Sequence, residues 1–391
     1  MPPSPLTDEQ LALRELAARV AHDRYASRAM EWDRTFSFFP DTERRRLGEL
    51  DLLGITLPEQ YGGGGRPLLD ALIVIEEVAK VCQLAAFPIF EASTGPARVV
   101  DLFGSEEQKQ MFLPPVARGE KTIAVAISEP EAGSAATDMT TKITVEGDEC
   151  VINGVKRWSS GGGHAEQYLV YGRVDGAPGS KGIGAVIVDR DQDGVSFGIQ
   201  ERMMGFHGVA SADIFLDEVR VPREHLIVSE GGFARLFTAF SIERLGNTTM
   251  SLAICQGALD RVSRYVQERR QFGRPIVDFQ LVQASLADMI IQTEAARLLL
   301  YRAADNAGHG APDPLEASIA KCFTNEAAKR ASDTAVQLLG GYGYSEEYEV
   351  ERLHRDSHGW AIAGGTPNMQ RIRIVSQYLG LRFDQRPERS S

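Results

Sequence analysis

Nowhere in the 391 residues is there an apolar run long enough to cross a bilayer, and the opening MPPSPLTDEQ holds neither the basic nor the apolar stretch of a secretory signal. Both absences lead to the expectation of a cytoplasmic protein with no membrane contact. The four cysteines, Cys82, Cys150, Cys255 and Cys322, lie far apart, with no Cys-x-x-Cys and no neighbouring histidine pair. That pattern argues for buried reduced thiols and against disulfides or a metal site. A basic surplus is also missing. The net charge of -12 argues against a nucleic-acid partner, although a small anionic ligand needs only a few local donors.

What is present fits a globular chain of two or three packed domains, with 43% hydrophobic and 25% charged residues. From Thr7 to about Gly119 the apolar spacing is helical, and Thr7 to Gln10 and Ser105 to Gln108 both read as capping boxes. The glycine-rich Tyr61 to Pro67 lacks a Gly-Lys-Ser/Thr ending and reads as a turn between helices. Between Lys121 and about Val221 the period changes to short β-branched runs, at 122–127, 140–145, 150–152, 168–171, 185–188 and 214–216, so a β-barrel or sandwich is expected. Helical spacing returns at Phe233 and runs to a stop at Gly273-Arg274-Pro275. Further helices follow over 278–306, 314–339 and 368–379, which suits a bundle.

The densest stretch is Gln337 to Arg373, where Gly340-Gly341 and Gly364-Gly365 flank a charged and aromatic segment. Such pairs mark sharp turns or a close approach to something bound, so a ligand-facing loop is expected, though Gly340 would equally serve as a helix C-cap. These residues resemble the closing signature of the acyl-CoA dehydrogenases: Gln337, Gly340, Gly341, Gly343 and Tyr344, then Glu347, Tyr348, Val350, Glu351, Arg352, Arg355 and Asp356, then Ile362 to Thr366. Ser128 to Ser134 and Asn153 to Gly162 resemble the same family's flavin loops, with Ala135 in place of an Asp. Trp158 alone would more often be a core aromatic, and the serines turn residues.

The resemblance implies an α+β multidomain fold: an N-terminal helical domain at 1–120, a middle β-barrel at 121–228 and a C-terminal four-helix bundle at 229–391. It implies FAD as cofactor, held by Ile127, Ser128, Ser134, Trp158 and Ser160, with Thr366 and Asn368. Arg269, Phe272, Gln337 and Gly341 would bind the adenosine diphosphate half of a flavin belonging mainly to the neighbouring subunit. A homodimer or homotetramer would then be needed, with electron-transferring flavoprotein as acceptor and acyl-CoA as substrate. Phe206-His207 and Val125 depart from the usual residues, and the former pair opens an acyl carrier protein as the alternative carrier.

The largest departure is Gly364, which stands where the family's usual catalytic glutamate would be. Glu243 lies on a helical face with Ala239, Phe240, Gly246, Asn247 and Met250, none of them basic. A surface glutamate on such a helix would ordinarily be a solvated or paired carboxylate, yet the face also reads as an apolar wall with room beside it, where a carboxylate's pKa should rise toward that of a general base. The isovaleryl- and long-chain-type members carry their base in a Glu-Arg-Leu segment like Glu243 to Leu245, so the resemblance makes Glu243 the α-proton base. The Gly364 amide would serve as oxyanion donor. Glu91, Phe240, Arg244 and Gly365 would contact substrate. Ala363 and Gly364, in place of a Tyr-Glu pair, favour a branched or cyclic acyl group. The implied reaction is α,β-dehydrogenation of an acyl thioester. A flavin oxidase, an N-hydroxylating monooxygenase and a non-catalytic thioester-binding flavoprotein are the other readings.

Overall fold

The computed structural model describes residues 6–177, 179–229 and 231–383. Seven helices come first: α1 (Asp8–Tyr25), α2 (Ala29–Thr35), α3 (Asp41–Glu49), α4 (Leu68–Val81), α5 (Gln83–Thr94), α6 (Pro96–Phe103) and α7 (Glu106–Ala117). Thr7 and Ser105 cap α1 and α7, each with the reciprocal glutamine bond of a capping box. α4 is buried nearly all round, from Leu68 to Ala79, and packs on α1 and on the long helix of the C-terminal part.

The middle of the chain is a mixed sheet of β1 (Ile123–Ala126), β2 (Lys142–Glu146), β3 (Glu149–Ser160), β4 (Gln167–Val174), β5 (Ile183–Asp189), β6 (Val195–Phe197), β7 (Ser211–Pro222) and β8 (Leu226–Val228). Its order is β6-β7-β3-β2-β4-β5-β8, and β1 pairs in parallel with the first half of β4. Ile143, Ile152, Tyr168, Val170, Val186, Val188 and Ile214 form its own core. Two strands escape the sequence pattern because β6 and β8 have only three residues each, too few for alternation to register. The expectation that Asn153 to Gly162 is a loop is corrected: β3 runs through to Ser160. Register shifts at Ile152/Gly154 and Lys156/Ser159 break the alternation that would have revealed it.

The C-terminal part is α8 (Phe233–Glu268), the small hairpin β9 (Arg270–Gln271) and β10 (Arg274–Pro275), α9 (Gln280–Ala307), α10 (Pro314–Leu339), α11 (Val350–Ile362) and α12 (Pro367–Leu379). α8 ends at Glu268, before the expected stop, because the residues that follow form the hairpin. The loop expected between the two glycine pairs is also corrected. α11 fills it, burying Val350, Leu353, Asp356, Ser357 and Trp360 on one face at helical spacing. Gly340, at φ +60, does end α10. No helix among the described residues is long and apolar enough to cross a membrane.

Candidate active site

α8 carries Glu243 toward the turn between α11 and α12. That turn holds Gly364 and Gly365, both at positive φ, +66 and +93. A side-chain carbon built on Gly364 would lie 3.8 Å from Asn247 Nδ2, 3.8 Å from Lys321 Cε and 3.9 Å from Glu243 Oε1. The carboxylate of Glu243 therefore faces the space that a side chain at position 364 would enter. Burial pushes the Glu243 carboxyl up to about 7, against the pull of Arg244 and Lys321. The apolar wall read on its helix face is corrected in one respect. Gly246 offers no room, because a carbon there would run into Thr94 Oγ1 and Phe90 of α5.

Lys321 of α10 is wholly buried, at 0% exposure, and was not singled out from the sequence. Its Nζ, which carries at most three N–H groups, has four acceptors within hydrogen-bond distance to share them: Asn247 Oδ1 at 2.8 Å, Ala363 O at 2.8 Å, Asn325 Oδ1 at 3.0 Å and Trp360 O at 3.2 Å. Burial and the nearby Arg244 lower its pKa to about 7, against the pull of Glu243. The available signal was a lone lysine in the alanine-rich stretch Ala317 to Ala328.

Around the carboxylate stand Tyr171 of β4, whose ring centroid is 5.9 Å from that of Phe240, and Glu91 of α5. Burial raises Glu91 well above the carboxylate range, with Arg44 opposing and Glu243 adding to the shift. Glu91 lines a small cavity with Arg44, Pro88, Ala92, Thr122 and Ile123. Arg244 is buried, its guanidinium 4.8 Å from the Phe237 ring centroid, so it lies beside the carboxylate's helix turn rather than free in solvent. Gly365 is tied by its carbonyl to Gln370 Nε2 at 2.9 Å.

A second group of residues forms a platform at the ends of β1 and β3. The Ile127 carbonyl accepts from Lys156 Nζ at 3.0 Å and the Ser128 carbonyl from the Arg157 amide at 2.8 Å. Among the described residues, the N–H groups of Ile127 and Ser128 and the hydroxyl of Ser160 have no hydrogen-bond partner. Trp158 sits at φ +60 with 51% of its surface exposed, and the Arg157 guanidinium lies 4.3 Å from its ring. It is an open aromatic plane rather than a core residue. A flat ring edged with carbonyls and a ring N–H suits this set: an aromatic surface to stack on, with amide donors and hydroxyls at its rim. The platform is anchored underneath by Glu129, which accepts from Lys156, Thr140 and Thr141, an anchor not read from the sequence. Ser134 lies exposed on the loop beyond it.

Arg269 lies over Tyr342 at 5.3 Å, so it meets the Gly340–Tyr344 turn that carries Gly341, with Gln337 exposed one turn earlier. Phe272 projects from the hairpin at 92% exposure. Thr366 caps α12, accepting from the Met369 amide, and Asn368 accepts from Arg371.

The chain matches three family descriptions in succession: "Acyl-CoA dehydrogenase, N-terminal domain" over residues 7–120, "Acyl-CoA dehydrogenase, middle domain" over 124–219 and "Acyl-CoA dehydrogenase, C-terminal domain" over 230–379. It is similar to a 3-sulfinopropanoyl-CoA desulfinase of Paraburkholderia xenovorans, at 37% identity over 97% of this chain and 98% of that one. The solved complex of glutaryl-coenzyme A dehydrogenase with glutaryl-CoA is similar at a TM-score of 0.93 and 32% identity, covering 98% of each chain. A chain in a structure described as the electron transferring flavoprotein of Acidaminococcus fermentans is similar at a TM-score of 0.92 and 34% identity, covering 96% of this chain and 98% of that one.

Proposed function

We propose, for a chain that belongs to the acyl-CoA dehydrogenase family of flavin-dependent oxidoreductases acting on the CH–CH bond of acyl-CoA, that Glu243 is the catalytic base in place of the residue at 364. The observation that carries this reading is the 3.9 Å separation between Glu243 Oε1 and the side-chain position of Gly364. A carboxyl held at about 7 is half ionised at neutral pH and strong enough as a base for an α-proton. The α-proton passes to Glu243 and the bonding pair it leaves forms the new double bond as the β-hydride departs. The flavin, FAD in this proposal, accepts that hydride when bound. The Gly364 N–H stabilises the charge that develops on the thioester oxygen, where one such donor contributes about 3 kcal/mol.

Ile127, Ser128 and Ser160 would edge the flavin ring on the Trp158 face, with Ser134, Thr366 and Asn368 nearer its phosphates. Phe240, Arg244, Gly365 and Glu91 would line the acyl-thioester channel. A branched or cyclic acyl group is favoured by the small Ala363 and Gly364. Electron-transferring flavoprotein is the proposed acceptor and the cytoplasm the proposed location. Arg269, Phe272, Gln337 and Gly341 would serve the flavin of a second subunit. Anaerobic mixing of the flavin-loaded protein with straight, branched and cyclic acyl-CoAs tests the reading. Bleaching by one class supports it, and no bleaching by any class despite bound flavin overturns it.

A further inference from the structure

α11 ends at Ile362, and the last carbonyls of a helix have no partner within it. Here two carbonyls at that end are gripped from the interior. Lys321 Nζ donates to Trp360 O and Ala363 O, and Asn247 Nδ2 donates to the same Ala363 O at 3.3 Å. Capping a helix end does not require a fully buried lysine, since an exposed one can do so without the cost of desolvating its charge. The position has a consequence that a cap alone lacks. No peptide bond among the described residues is cis, so the Ala363 carbonyl and the Gly364 N–H point in opposite directions in one rigid plane. Fixing the carbonyl toward Lys321 and Asn247 fixes the amide away from them. Among the described residues that N–H has no partner.

We propose that Lys321 and Asn247 are positioning residues: they clamp the Ala363 carbonyl and thereby aim the Gly364 amide at the thioester oxygen. The proposal rests on the reading of Glu243 and Gly364 given above. It also gives Lys321 a second effect. Glu243 is faced by Arg244 on its own helix, Lys321 from α10, Glu91 from α5 and Tyr171 from β4. Lys321 is one of the two cations in that set, so it helps keep the base ionised.

The test uses flavin-loaded full-length protein carrying Lys321→Met, with Asn247→Ala as a second variant that removes one donor and leaves the lysine in place. Flavin reduction at saturating acyl-CoA should fall about tenfold to hundredfold in Lys321→Met, with half-saturation changed less than about threefold. The infrared carbonyl stretch of a bound enoyl-CoA, lowered in the native protein, should return toward its solution frequency in both variants. In Glu243→Gln it should stay low. The pH midpoint of flavin reduction should rise in Lys321→Met. A carbonyl stretch still lowered in both variants overturns the clamp. Loss of activity in Glu243→Gln alongside that result would leave the base assignment standing, whereas full activity in Glu243→Gln would overturn the base assignment itself.

Discussion

A side chain at position 364 would reach to within 3.9 Å of Glu243 Oε1. The carboxylate of α8 and the glycine of the α11–α12 turn thus meet at one point in space from two parts of the chain. Replacing Glu243 with Gln should cut the rate of substrate-driven flavin reduction by about a thousandfold while leaving acyl-CoA binding nearly intact. Stopped-flow absorbance checks it, and an unchanged rate would remove Glu243 from the mechanism.

The same relationship predicts what happens when the carboxylate is moved. Nothing lies nearer than 3.8 Å to a Cβ on Gly364, so the first carbon of a side chain meets only ordinary contacts there. Its φ of +66 still costs a non-glycine residue about 1–2 kcal/mol. Gly364→Glu alone should lower both stability and rate, because two carboxylates then share one site and each resists ionisation. Combining it with Glu243→Gly should recover part of the activity that Glu243→Gly loses. Kinetics of the single and double variants decide it.

Titration of the site gives two signed expectations. Flavin reduction should increase with pH and level off above about 7, since the proposed base, Glu243, acts in its ionised form. Stability should move the other way. Glu243 has a folded pKa raised from 4.5, so its contribution is present below about 4.5 and is lost as pH rises to about 7. Lys321, lowered from 10.5 to about 7, reverses the trend, because its stability contribution grows as pH rises across that window. Thermal melts from pH 5 to 10 should therefore be shallowest in stability near neutrality, and Lys321→Met should abolish the alkaline recovery.

The helical, sheet and helical order and both capping boxes could be read from composition and period. That Glu243 and position 364 belong together was expected from the family resemblance of a missing carboxylate and a Glu-Arg-Leu segment, and the structure brings the two within 3.9 Å. The clamp was not legible. Lys321 is 43 positions from Gly364 in sequence, and nothing local says that α10 passes under the end of α11. α11 itself was hidden by its flanking glycines and its buried arginine and aspartate, which made an amphipathic helix look like a charged loop. β3 was hidden by its two bulges.

Beneath the Trp158 platform, Lys156 and Glu129 have side chains 0% and 4% exposed and lie 2.8 Å apart. Burial would raise the Glu129 carboxyl, but Lys156 and the Thr141 and Thr140 hydrogen bonds outweigh it and hold it at about 2. Lys156→Met leaves that charge buried without its partner and should destabilise the protein by about 3–5 kcal/mol, with loss of flavin retention. Denaturant melts and flavin content check this. In the native protein, the contribution of Glu129 is present above about 4.5 and lost as pH falls toward 2.

Phe272, 92% exposed at the tip of its hairpin, is an apolar ring that a monomer leaves in water, whereas Trp158 lies on the β3 platform. If one flavin lies on the Trp158 of one subunit and under the Phe272 of another, each single variant, Trp158→Ala or Phe272→Ala, should lower flavin occupancy. A mixed dimer of the two variants separates this from a flavin held within one chain. In the shared arrangement one of its two sites keeps both native residues and the other loses both, so occupancy should recover to about half of native. In a single-chain arrangement every site carries one lesion and mixing restores nothing. Flavin absorbance per protomer after co-refolding of tagged variants decides between them, and no recovery in a verified heterodimer would sink the shared site.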